Sequence, residues 1–158
     1  MSDGYAWLKP SHMIEGFRLV AEVHGNNAGG FWRGLTASDK QVAIHYRKRQ
    51  SQRGVGSHIS IYWDPEPDSA LVGTTNHPGR PVTVNGKSAT YHDGTWMPGP
   101  GLDEINVLTD GKAHWGRDFV HSITMSTPKG VFALRCPYSV VSHEDQMIRV
   151  FSSINALS

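Results

Sequence analysis

Several stretches of the chain alternate hydrophobic and polar positions with a period of two. Phe17 to His24 sets Phe17, Leu19, Ala21 and Val23 against Arg18, Val20, Glu22 and His24, the pattern of a half-buried strand. Gln41 to Arg49 alternates again, with Val42, Ile44 and Tyr46 opposite Ala43, His45 and Arg47. His58 to Trp63 places Ile59, Ile61 and Trp63 on one face. The polar segment Gln50 to Ser57 between them predicts two antiparallel strands joined by a loop. Asp64-Pro65-Glu66-Pro67-Asp68 ends the second of these strands, because proline has no N–H for the ladder. Spread over that proline-stiffened loop, its carboxylates read as exposed.

The sharpest local signal is Pro81 to Tyr91. Asn85-Gly86 sits between alternating runs, and both residues tolerate the positive φ of a two-residue hairpin turn. Asp93 to Gly101, rich in Gly and Pro, reads as a loop, and Val107 to Trp115 as a strand broken by a turn at Asp110-Gly111. Phe119 to Ser126 and Gly130 to Arg135 predict a second hairpin. Its turn, Thr127-Pro128-Lys129-Gly130, has the Pro and Gly placement of a type I turn. A helix follows: Ser142 and Asp145 have capping-box spacing, and Met147, Ile148, Phe151 and Ile154 form one apolar stripe. The prediction is an α+β domain covering residues 1–158. In it, a curved antiparallel sheet of about six to eight strands carries the C-terminal amphipathic helix on one face.

Composition agrees. The chain has 158 residues, enough to bury a core, and 17 Gly with nine Pro suit many turns. Five Trp, five Tyr and five Phe supply surface to bury and argue against disorder. A net charge of +1 gives no reason to expect nucleic acid. The basic run Arg47-Lys48-Arg49, with Arg53 nearby, reads as a solvated strand end. No stretch has the apolar length of a membrane helix, and Met1-Ser2-Asp3-Gly4 opens no signal peptide. The expected setting is cytoplasmic, or extracytoplasmic if this is a trimmed piece of an exported chain. A single cysteine, Cys136, rules out an internal disulfide and reads as a buried, inert thiol.

The order of these elements resembles that of a known family. Glu15-Gly16-Phe17-Arg18-Leu19 is similar to its glutamate–glycine–aromatic strand start. Val42 to Tyr46 is similar to its second strand, and Val82 to Ala89 to its valine–asparagine–glycine–lysine hairpin. Ser142-His143-Glu144-Asp145 opens a helix that closes at Ser152-Ser153-Ile154, as the family's helix does. The family is a bacterial extracytoplasmic domain of unknown function, found at the C-terminal ends of anti-sigma factors and in lipoproteins. The resemblance runs from about Glu15 to Ile154. It departs at Ile14, where the family has proline, and at the glycine-rich stretch from Gly25 to Gly34. It implies an envelope-associated setting and a fold, not an activity.

Candidate chemistry is sparse. The nine histidines show no paired metal-ligand spacing, so neither a metal site nor a cofactor is expected. No nucleophile elbow or Walker spacing occurs. Aromatic residues in predicted loops carry the leading expectation: Trp32, Trp96, Met97 and Trp115 as the surface of a non-catalytic module that binds a protein, peptide or lipid. The competing expectation for these tryptophans is that they plug the open ends of the sheet. A second reading is a small enzyme or ligand-cavity protein with His92, His114 and His121 lining a space between sheet and helix. A third is a structural assembly subunit that pairs through an exposed strand edge.

Overall fold

The structure is a computed structural model, and it describes residues 4–25, 40–48, 58–66, 79–97, 114–116, 120–139 and 141–157. These form strands β1 (Phe17–His24), β2 (Val42–Lys48), β3 (His58–Asp64), β4 (Arg80–Val84), β5 (Lys87–His92), β6 (Thr95–Met97), β7 (His114–Gly116), β8 (Val120–Thr127) and β9 (Gly130–Pro137). One helix, α1 (Glu144–Ser152), lies near the C-terminal end, and short 3-10 turns span Ala6–Leu8 and Asn155–Leu157. Seven strands make an open antiparallel sheet in the order β1-β2-β3-β9-β8-β5-β4, while β6 and β7 form a separate two-stranded ribbon. The described secondary structure is therefore mostly sheet, with a single helix. That helix is too short to cross a membrane, and no other occurs among the described residues.

Register follows from local chemistry. Asn85 (φ 52°) and Gly86 (φ 76°) both take the left-handed conformation and close the β4–β5 hairpin, as the Asn-Gly pair predicts. The β8–β9 hairpin closes through Pro128 and Lys129, and the Thr127 hydroxyl donates to the carbonyl of Gly130 (3.0 Å) while accepting the N–H of Lys129 (3.1 Å). β1 departs from its expected simple alternation. Its register slips between Leu19 and Ala21, so Phe17 and Leu19 align with Lys48 and Tyr46, whereas Ala21 and Val23 align with His45 and Ala43. Phe17, Leu19, Ala21 and Val23 thus divide between the two faces of the sheet, because a bulge at Val20 inserts one unpaired residue. Leu19 and Val20 remain 39% and 47% exposed on this edge strand.

The main core lies on the face that receives α1. Val42, Ile44, Ile59, Ile61, Ile123, Phe132 and Leu134 from the sheet join Met147, Val150, Phe151 and Ile154 in one cluster. Burying each such side chain contributes roughly 1.5–3 kcal/mol. Trp7 meets Trp63 edge-on at 4.9 Å and Phe132 at 6.4 Å, so the N-terminal segment covers one end of this core. The opposite face is also buried in its centre, where Ala43, Tyr62, Val131 and Ala133 pack together. All of β9 is buried on both faces.

Three local expectations are corrected. Ser142 does not cap α1: the bond from Gln146 N–H runs to the carbonyl of His143, which makes His143 the cap residue, with no side-chain cap bond. Ile154 is fully buried but lies just beyond the helix, bridged to Pro10. Asp64 is fully buried rather than part of an exposed loop; its Oδ1 accepts the N–H of Glu66 (3.0 Å) and turns the chain at the end of β3.

Candidate functional site

Two of the aromatic candidates meet by register. Thr95 to Met97, expected in a loop, is strand β6, and it pairs with β7 so that Trp96 stands directly opposite Trp115 and Met97 opposite His114. Directly opposed residues of an antiparallel pair share one face of it, which sets two aromatic positions side by side on the ribbon. Eighteen residues of chain separate them, so spacing gives no hint of the pairing. Trp32 and residues 107–113 lie outside the described residues. Trp7 and Trp63, the remaining tryptophans, pack on the sheet core, the end-plugging role that also competed for the loop tryptophans.

The histidines of the cavity reading do not converge. Tyr91 aligns with Ile123 and His92 with Ser122, so His92 and Tyr91 project to opposite faces. His121 bonds to Tyr91 and shares its face, which puts the sheet between His92 and His121. His114 is on the ribbon.

His121 instead organises a buried cluster. Its ring is fully shielded from solvent. Nε2 lies 2.5 Å from the carbonyl oxygen of Val141, and Nδ1 lies 2.9 Å from the hydroxyl of Tyr91. A carbonyl can only accept, so Nε2 carries the hydrogen, and Nδ1 accepts from Tyr91. Tyr138 stacks on the imidazole at 4.3 Å and donates its hydroxyl hydrogen to Asp93. The Arg80 guanidinium sits 4.9 Å over the Tyr91 ring and reaches Glu144 at 2.7 Å. Burial lowers the His121 pKa, against the pull of the Val141 carbonyl, Asp93 and Glu144; burial likewise raises that of the Tyr91 phenol, which favours its donor role.

The opposite face holds an arrangement that sequence reasoning missed. One register row crosses five strands: His45 opposite Ser60, Ser60 opposite Arg135, Arg135 opposite Ser122, and Ser122 opposite His92. Ser60, Arg135, Ser122 and His92 are buried. His45 Nδ1 lies 2.7 Å from Ser60 Oγ, and His92 Nε2 lies 3.4 Å from Thr124 Oγ1. Burial lowers the Arg135 pKa to about 10, opposed by the Tyr62 phenol, whose own pKa burial raises. The available signal was a lone arginine inside the apolar run of Val131 to Cys136. Cys136 faces the α1 side beside His121, and burial raises its thiol pKa, which disfavours the nucleophilic thiolate.

No family model, curated protein or solved structure matches the chain.

Proposed function

We propose that this domain is a non-catalytic binding or sensing module that takes a peptide segment of a partner protein on the β6–β7 ribbon. The observation that supports the reading is the register of Trp96 against Trp115 with Met97 against His114. Aromatic side chains bring large contact area at low entropic cost, and two in register make a short apolar platform. The two-stranded ribbon stands apart from the seven-stranded sheet in its hydrogen bonding, so changing its side chains leaves the main ladder intact. The resemblance to the bacterial extracytoplasmic domain makes an envelope protein the expected owner of the module. The same reading takes the sheet as curved over α1 in an α+β arrangement, with the ribbon beside it.

A random-peptide phage library selected on the intact chain tests this. Peptides that bind the wild type are expected to lose at least about tenfold in affinity against Trp96→Ala and Trp115→Ala, since a central aromatic anchor is worth about 2 kcal/mol or more. They should bind Trp63→Phe, which alters a core tryptophan, as they bind the wild type. Selected peptides indifferent to both ribbon substitutions would refute the assignment of this surface.

A further inference from the structure

On the sheet face away from α1, two adjacent rows carry cationic side chains and, among the described residues, no carboxylate. Arg18 on β1 is directly opposite Arg47 on β2, and Arg47 is directly opposite His58 on β3. Directly opposed residues share a face, so these three form a row roughly 10 Å long across three strands. His45 and Ser60 stand two residues from Arg47 and His58, on the same face one row further in, where Arg135 lies opposite Ser60. The rings of His45 and His58 meet edge-on at 6.0 Å and join the two rows. Exposure is graded: Arg18 is exposed, Arg47, His58 and His45 are half-buried, and Ser60 and Arg135 are buried. Like charges set directly opposite one another destabilise a sheet. Arg18 and Arg47 are such a pair, and among the described residues neither guanidinium has an ion-pair or hydrogen-bond partner. Glu22, the acidic residue of β1, does not neutralise them: it aligns with Ile44 on the α1 face and is held there by Lys9 (2.8 Å).

We propose that this basic block binds a phosphomonoester, with Arg18 and Arg47 gripping its phosphoryl oxygens. A carboxylate brings one charge, which a single guanidinium matches. A phosphomonoester brings about two charges and three acceptor oxygens at neutral pH, which two opposed guanidiniums match. Its arrival turns a repulsive cross-strand pair into a bridged one, and His58 extends the same row. The basic run Arg47-Lys48-Arg49, expected to be a solvated strand end, therefore divides in the fold. Arg47 joins Arg18, whereas Lys48 aligns with Phe17 on the α1 side; Arg49 and Arg53 lie outside the described residues. The site shares no residue with the β6–β7 ribbon, so it stands independently of the peptide-binding reading.

Titration of the full chain with inorganic phosphate at constant ionic strength, followed by amide and arginine side-chain NMR shifts, tests this. Saturable shifts are expected at Arg18 and Arg47. Arg18→Gln and Arg47→Gln should each weaken binding about tenfold or more, the effect of losing charged donors to the anion. Both variants relieve the Arg18–Arg47 repulsion and should be at least as stable as the wild type without phosphate, so weaker binding is not a folding defect. Lys87→Gln removes one exposed positive charge from the β4–β5 hairpin and should bind phosphate as the wild type does. Phosphatidylcholine vesicles containing phosphatidic acid, whose headgroup is a phosphomonoester, identify the source. Co-sedimentation that both arginine variants lose assigns a lipid headgroup; phosphate binding without co-sedimentation assigns a soluble ester. Shifts that do not saturate, or that Lys87→Gln weakens as much as Arg18→Gln does, overturn the proposal.

Discussion

Acid should destabilise the whole fold through His45, on the opposite face of the sheet from His121. The ring is half-buried, its Nδ1 is 2.7 Å from Ser60 Oγ, and His58 and Tyr62 meet it edge-on at 6.0 and 6.1 Å. Burial, and after it the charge of His58, pulls its pKa from 6.5 down to about 4. Between those two values the unfolded chain holds a proton on His45 that the folded chain does not. The unfolded state therefore gains relative to the native state as pH falls. The contribution is intact above pH 6.5 and lost progressively down to about pH 4. Each tenfold loss of proton affinity corresponds to about 1.4 kcal/mol, so the full displacement sets a ceiling of about 3.4 kcal/mol. Water screens a half-buried ring, and about 1–2 kcal/mol is the expected loss.

Urea denaturation followed by tryptophan fluorescence measures it, for wild type and His45→Gln at intervals from pH 7.5 to 4.5. Glutamine can still bond to Ser60 but does not titrate in this range. The stability of the variant should fall about 1–2 kcal/mol less than that of the wild type across the interval, with equal denaturant slopes. His121 titrates in both proteins and cancels in the comparison. Parallel stability curves would show that His45 is protonated as readily in the native state as in the unfolded chain, and the burial argument would fail.

Asn85→Gly should retain the hairpin turn yet cost about 1–2 kcal/mol, because the Asn85 carboxamide donates to the carbonyls of Ser152 (2.9 Å) and Leu157 (2.8 Å); a thermal melt measures the loss. Gly130→Ala should cost about 2–4 kcal/mol in chemical denaturation, since φ is +126° and a Cβ there would lie 2.5 Å from the Asp64 carbonyl and 2.9 Å from Pro65 Cα. Gln41→Met should be neutral or stabilising by about 1 kcal/mol, because Gln41 is fully buried and its carboxamide has no hydrogen-bond partner among the described residues; an increased urea midpoint confirms this and a marked decrease refutes it.

The strands were legible because period-two alternation records which residues face a core. Ile59, Ile61 and Trp63 do share the α1 side, and Asn85-Gly86 marks a turn by steric rules that need no tertiary context. Alternation could not report the second buried face, where Ser60, Tyr62 and Asp64 on β3 are as enclosed as Ile59 and Ile61. Polar residues at alternate positions read as solvent-facing until the sheet is assembled and they meet one another across it. The bulge at Val20 was hidden for a related reason. Phe17, Leu19, Ala21 and Val23 fit one face on paper, and the slip that divides them is visible in the pairing with β2. The three-residue strand β6 is shorter than any periodic signal, and its Gly- and Pro-rich surroundings read as loop.

The candidate sites follow the same division. Trp96 and Trp115 were legible as residue types, but their juxtaposition depends on the β6–β7 register across eighteen intervening residues. His121 was legible as a member of an apolar face beside Ile123; the buried cluster it organises depends on Tyr91, 30 residues before it, and Val141, 20 residues after it. Asn85 carries both kinds of information at once. Its backbone conformation is a local preference that the sequence displays, whereas its side chain bonds to carbonyls 67 and 72 residues away. Replacing it with glycine separates the two contributions: the turn is retained and the tie to the C-terminal end of α1 is lost. If Asn85→Gly were as stable as the wild type, the tie would add nothing beyond the solvation of the two carbonyls. The C-terminal end of α1 would then be held by the burial of Phe151 and Ile154 and by the hydrogen bonds of Ser11 N–H and His12 N–H to Ser153 (3.0 Å each).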